Sequence, residues 1–139
     1  MLTATARSTP GSLRQRVLVD GRHLLVTDEP EHLGGTDTGP APHELVAAAV
    51  AACVSTTLLM YAEKRGIDLG GVEVDVEYDN KAEPRHCDVH IRLGGHFSED
   101  ELAKLEKVAA ACPVRRALEA GVTFAETIER SRAGALTAA

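Results

Sequence analysis

The run from Leu45 to Ala62 carries no charge over 18 residues, and it constrains the fold more than any other stretch. It is long enough to raise a membrane span. Its alanines, with Ser55, Thr56 and Thr57, make it far less apolar than a run of Leu and Ile, and the rest of the chain is polar and strand-rich. A buried central helix is the better reading, with no membrane involved. Pro42 suits a first helical turn, where its missing N–H costs nothing. Gly66, preceded by Lys64 and Arg65, ends the helix and complements its carbonyl end. A helix that is apolar nearly all round must be covered on every side, which a small domain achieves with a partner subunit.

The elements around this helix read from periodicity. Arg16 to Val19, Asp20-Gly21, and Arg22 to Thr27 form a β-hairpin pattern, because Asp-Gly tolerates the positive φ of a tight turn. Glu29 to Pro42, with Gly34, Gly35, Gly39, Pro40 and Pro42, is a loop. Val72, Val74, Val76 and Tyr78 alternate with Glu73, Asp75 and Glu77, and Cys87, Val89, Ile91 and Leu93 alternate with His86, Asp88, His90 and Arg92. Both are strands with one wet face, and Cys87 falls on the apolar one as core packing. Ser98 and Glu101 make a capping box for a helix carrying Leu102, Leu105, Val108, Ala109 and Cys112. Pro113 stops that helix at Cys112 and opens another, Val114 to Ala120, closed by Gly121. Val122 to Ile128 reads as a last strand. Strands around two main helices, without strict βαβ alternation, indicate an α+β fold. Residues 1–139 are expected to form a single domain with an ordered core over about 12–130, flanked by poorly ordered ends up to Ser12 and after Arg130.

The formal charge of −6 and the lack of any Lys/Arg block argue against nucleic-acid binding. Met1 to Gly11 lacks the basic head, apolar stretch and cleavage site of a secretory signal, so a cytoplasmic location is expected. There the cysteines begin reduced. Three cysteines without a CxxC pair disfavour a disulfide framework and a structural zinc site.

Two cysteines stand where thiol chemistry is possible. Cys53 shares its helical face with Val46, Ala49, Val50, Thr57 and Met60. A thiolate on that apolar face needs a positive partner from elsewhere, and packing as a small hydrophobe is the competing reading. Cys112 precedes the Pro113 helix, whose free N–H groups and dipole favour a thiolate, and Arg115 and Arg116 add charge one turn on. It also fits the apolar stripe of the preceding helix. His86, Asp88 and His90 present metal-ligand types on one strand face, without a tight quartet. No Ser/His/Asp order is defensible, and Gly34-Gly35 lacks the strand-to-helix context of a phosphate cradle.

The succession Asp28-Glu29-Pro30, then Gly34-Gly35-Thr36-Asp37-Thr38-Gly39-Pro40-Ala41-Pro42, Glu44-Leu45, an Ala-rich helix to Cys53 and Met60-Tyr61-Ala62-Glu63-Lys64 resembles the OsmC/Ohr family. Ala111-Cys112-Pro113-Val114 is similar to the family's second cysteine motif. The likeness spans roughly residues 14–128.

The resemblance implies a thiol-dependent peroxidase acting on organic hydroperoxides, built as an intertwined homodimer with central helices wrapped by antiparallel β-sheets. By it, Cys53 becomes a sulfenic acid and Cys112 closes a disulfide with it. An external dithiol, lipoyl-type or small, resets the pair, and no metal, flavin or haem is required. The family's reductases place an activating arginine near the N-terminus and a glutamate directly after the helix-entry proline. Here the latter slot is His43, and the acid is Glu44, about 13 Å along a continuous helix from Cys53. Glu44 also suits a simple first-turn role. Arg14 is the candidate arginine, with Arg16 and Arg22 as rivals. A non-catalytic, stress-associated dimer binding a small apolar ligand near Cys53 is the alternative.

Overall fold

The computed structural model describes residues 1–130, which cluster into two compact units, Met1–Leu45 with the segment from Ala125, and Val46–Phe124. The tail after Arg130, expected to be poorly ordered, lies outside the described residues.

The first unit is a three-stranded antiparallel sheet in the order β1 (Ala4–Ser8), β2 (Gln15–Val19), β3 (His23–Thr27). The hairpin joining β2 to β3 turns at Asp20 (φ 49°) and Gly21 (φ 66°), two residue types that tolerate positive φ, and pairs Val19 with His23. Asp20 also fastens the chain's start: its backbone N–H donates to the Thr3 carbonyl at 2.9 Å, and its carboxylate accepts from the Thr3 N–H at 3.0 Å. The expectation of poor order up to Ser12 is therefore corrected, since Ala4–Ser8 pairs in register with β2. All five β1 residues are exposed, so the strand rests on backbone bonds and leaves no apolar alternation in the sequence.

The Gly/Pro-rich segment that follows is a loop with one 3₁₀ turn, Glu31–Leu33, and it is tightly organised. Asp28, only 1% exposed, collects its hydrogen bonds. One carboxylate oxygen accepts from the Glu29 N–H at 2.9 Å. The other accepts from the backbone and hydroxyl of Thr36 at 3.1 and 2.6 Å, and from those of Thr38 at 3.3 and 2.9 Å. These donors hold the Asp28 carboxyl well below the usual carboxylate range, the Thr36 hydroxyl most of all. Two glycines permit the close approach: a Cβ on Gly35 would collide with the Glu29 carbonyl, and one on Gly39 with that of Val26.

Helix α1 runs unbroken from Pro42 to Arg65. Gly66 (φ 64°) ends it, with the Ile67 N–H donating to the Ala62 carbonyl at 3.0 Å and the Gly66 N–H to that of Glu63 at 3.4 Å. This is the Schellman pattern that the Lys64-Arg65-Gly66 sequence predicts. Among the described residues, α1 is the helix long and apolar enough to cross a membrane by length and composition.

In the second unit, α1 buries a stripe at every fourth residue, Val50, Val54, Leu58 and Ala62. This stripe forms one core with Leu69, Leu105, Ala109 and Cys112, against which Val74, Val76, Val89 and Ile91 pack. The last four come from an antiparallel pair, β4 (Val72–Asp79) and β5 (His86–Leu93), in the register Val74↔Ile91 and Tyr78↔Cys87. On the outer face Arg92 bridges Glu73 at 2.9 Å and Asp75. Helix α2 (Glu99–Ala110) begins with the expected capping box: Ser98 Oγ accepts from the Glu101 N–H, and Glu101 accepts from the Ser98 N–H at 2.8 Å. Helix α3 (Pro113–Ala120) follows, closed by Gly121.

The far side of α1, including Ala49, Ala52, Thr56, Leu59 and Met60, is exposed within one chain. One further expectation changes. Residues 122–128 form no strand, and Val122, Phe124 and Ile128 are exposed at 64%, 84% and 99%. Apolar alternation is present there, but a strand also needs a neighbouring edge to bond to. With its two antiparallel sheets and three helices among the described residues, the chain is α+β, as read from sequence.

Candidate active site

The α2–α3 junction is built by Pro113. Because proline disfavours helical angles in the residue before it, Cys112 adopts φ −49° and ψ 122° and becomes the N-cap of α3. Its Sγ then accepts the backbone N–H of Arg115 at 3.5 Å. The sulfur itself is fully buried in the core.

From the facing side, α1 presents Cys53, half-buried and packed against the same core. The two thiols share one core, and hydrogen bonding from the Cys112 thiol and from the Val114 backbone N–H at the start of α3 acts on the Cys53 thiol to lower its pKa. Burial works against a Cys53 thiolate, yet these donors outweigh burial and hold the thiol below its ordinary value. The Thr57 hydroxyl is also within reach of this sulfur. It has a single proton, and the Cys53 carbonyl receives it at 2.7 Å. Cys112 moves the opposite way: burial pushes it up, and the neighbouring Cys53 adds to that despite the Arg115 N–H. The two thiols are thus shifted in opposite directions, Cys53 down and Cys112 up, which is how paired titratable groups acquire different roles.

The positive contribution anticipated from Arg115 and Arg116 takes another form. The Arg115 guanidinium pairs with Glu119 at 2.8 Å, so what α3 gives the sulfurs is backbone N–H groups at its positive end. Thr57 and Val114 were not singled out from sequence. Thr57 was noted only as a face-mate of Cys53, and the role of Val114 depends on tertiary placement.

Arg14 and Glu44 belong to the first unit, and Cys53 and Cys112 to the second. Arg14 is exposed just before β2, with its N–H donating to Ser12 Oγ at 3.0 Å. Arg16 sits on β2, and Arg22 in the hairpin turn. Glu44 closes the start of α1, where its carboxylate accepts from the Ala41 N–H at 2.8 Å. This satisfies one of the free donors of the helix terminus, the first-turn role noted for it.

Helix α1, strand β5 and helix α3 border an open cleft of about 520 Å³, lined by Val46, Val50, Cys87, Val89 and Leu118, with Arg115 among its polar groups and neither Cys53 nor Cys112 in its lining. Val50 lies one turn before Cys53 on α1. Cys87 faces the apolar side as expected, but it is half-buried and lines this cleft, with its thiol pushed up by burial and by Asp88. A larger cleft of about 670 Å³ between β5 and α2 has no cysteine in its lining. His86 pairs with Asp88 at 3.2 Å on the exposed face, and among the described residues no group of three or more His, Cys, Asp or Glu is placed to hold a metal ion.

The family model described as OsmC-like protein matches residues 35–127. No curated protein matches the sequence. Among solved structures, the chain is similar to an organic hydroperoxide resistance protein OsmC from Legionella pneumophila, at 24% identity and TM-score 0.64, covering 84% of this chain and 87% of that one. It is similar to an OsmC-like protein from Mycoplasma pneumoniae, at 18% identity and TM-score 0.66, covering 86% of each chain. The organic hydroperoxide resistance protein OhrB of Bacillus subtilis also shares the fold, at 22% identity and TM-score 0.52, covering 84% and 88%. With most of the domain matched, and with the Cys53 and Cys112 motifs both inside the matched span, the chain is a member of the OsmC-like protein family.

Proposed function

We propose that this chain is a thiol-dependent peroxidase that reduces organic hydroperoxides in a stress-protective role. The observation that carries the reading is the packing of half-buried Cys53 on α1 against the core that holds fully buried Cys112 at the start of α3, where hydrogen bonding from that junction lowers the Cys53 thiol from its ordinary value. The Cys53 thiolate attacks the terminal peroxide oxygen and the O–O bond breaks. The alkoxide leaves as an alcohol after taking up a proton, and Cys53 becomes a sulfenic acid. Cys112 then attacks the sulfenic sulfur, forming an S–S bond and releasing water that carries away its proton. A dithiol, lipoyl-type or small, restores both thiols by exchange and is itself oxidised to a disulfide.

The cleft lined by Val46, Val50 and Leu118 suits the organic part of such a peroxide. Arg14 is proposed as the cation of the activated state and Glu44 as the carboxylate of that pair, both on the family pattern. A cytoplasmic homodimer is proposed as the working form. Leu59 and Met60 on α1, together with Val122, Phe124 and Ile128, are the apolar side chains a second subunit would cover.

The test is consumption of cumene hydroperoxide by reduced protein supplied with dihydrolipoamide. Repeated turnover, with one dithiol oxidised per peroxide, is expected. Protein that binds the peroxide without consuming it would favour the non-catalytic, ligand-binding dimer instead.

A further inference from the structure

Three hydroxyl residues, Ser55, Thr56 and Thr57, follow Cys53 closely, and Thr57 is the one placed four residues on, a full turn along the same helical face. Its hydroxyl donates to the Cys53 carbonyl at 2.7 Å, the back-bond common to helical threonines. That carbonyl already serves the α1 ladder, so this second bond can be given up without leaving it unsatisfied. The same hydroxyl lies within reach of the Cys53 sulfur, and both residues are half-buried, where a hydrogen bond to a charge is stronger than in open water.

We infer that Thr57 is a positioning residue for the reacting sulfur: its O–H turns from the Cys53 carbonyl to Cys53 Sγ when that sulfur loses its proton. The threonine keeps its own proton throughout. This rests on Cys53 being the reacting thiol, as proposed above. The other groups facing the sulfur are the Cys112 thiol and the Val114 N–H, both from the α2–α3 junction, while the nearby Arg115 guanidinium is engaged by Glu119. Cys112 stops donating once it becomes the attacking thiol. Thr57 supplies a side-chain donor that the reaction does not consume.

The pair of variants Thr57→Val and Thr57→Ser separates hydroxyl from shape, because valine keeps the branched form and serine keeps the O–H. The readout is the pH profile of iodoacetamide alkylation of reduced full-length protein, followed on the Cys53 peptide by mass spectrometry. Thr57→Val should alkylate about tenfold more slowly at pH 7, with its midpoint moved to higher pH, as loss of one charge-assisted bond requires. Thr57→Ser should follow the parent profile. A valine variant with the parent midpoint, or a serine variant shifted as far as valine, would overturn the inference. No peroxide is used, so failure of the peroxidase reading would show separately, as absent turnover with an intact alkylation profile.

Discussion

Cys53→Ser should consume no organic hydroperoxide above the uncatalysed rate, while Cys112→Ser should reduce a single equivalent and then stall with Cys53 oxidised. The two outcomes differ because the two sulfurs occupy different electrostatic sites. Cys53 is the more exposed, and hydrogen bonding from the Cys112 thiol and the Val114 N–H lowers its thiol from the ordinary value, which raises its thiolate fraction. A serine hydroxyl at position 53 ionises far outside the useful range and cannot be replaced by Cys112, which is fully buried and pushed up by that burial. A serine at position 112 still offers an O–H to the Cys53 sulfur, so the first attack survives. What it cannot do is close a disulfide, and the sulfenic acid should accumulate. Trapping with dimedone and mass spectrometry of the Cys53 peptide reads this directly. Normal multiple turnover by Cys112→Ser with dihydrolipoamide would show that resolution does not pass through Cys112.

The second large effect concerns stability. Asp28→Ala should disorganise the loop between β3 and α1 and lower the thermal midpoint more than any other substitution of a single polar side chain in the first unit. The carboxylate accepts from three backbone N–H groups and two hydroxyls while nearly inaccessible to water, so its removal leaves several donors unpaired at once. Asp28→Asn is also expected to be damaging, because its NH₂ group would face the donors of Thr36 or Thr38. The sign of the pH dependence follows from the depressed carboxyl. Its stabilisation is fully present above the unfolded value, near pH 4, where both states are ionised. Below that the unfolded chain takes up a proton while the folded chain resists it, so stability falls as the solution is acidified further. Thermal melts between pH 7 and pH 3 should show this acid loss in the parent and a weaker one in Asp28→Asn. Identical melting profiles for parent and variant would contradict the role given to Asp28.

How far these features can be read from residues alone varies with the range of the interaction. The uncharged run Leu45 to Ala62 with its Lys64-Arg65-Gly66 stop, the Ser98/Glu101 box and the alternating strands 72–78 and 87–93 are local patterns, and the structure reproduces them. The Cys112-Pro113 junction was also legible, since proline governs the backbone on both sides of itself. Strand β1 was not, because five exposed residues carry no burial signal. Val122 to Ile128 carried the signal without the hydrogen-bonding neighbour that makes a strand. At the site, the sulfurs were identifiable as candidates, but their meeting depends on how α1 packs against the α2–α3 junction. That packing is tertiary information, and so are the contributions of Val114 and Thr57. Asp28 was visible only as part of a family motif. Its engagement with Thr36 and Thr38 spans eight and ten residues of irregular loop, beyond the reach of any periodicity.

The central claim, that Cys53 and Cys112 work as one redox pair, is most directly tested by mapping disulfides after reduced protein meets one equivalent of cumene hydroperoxide without added thiol. The expected product is a Cys53–Cys112 disulfide, with Cys87 left as a free thiol. Peroxide consumed while Cys53 remains a free thiol, or a disulfide joining Cys53 to Cys87, would contradict it.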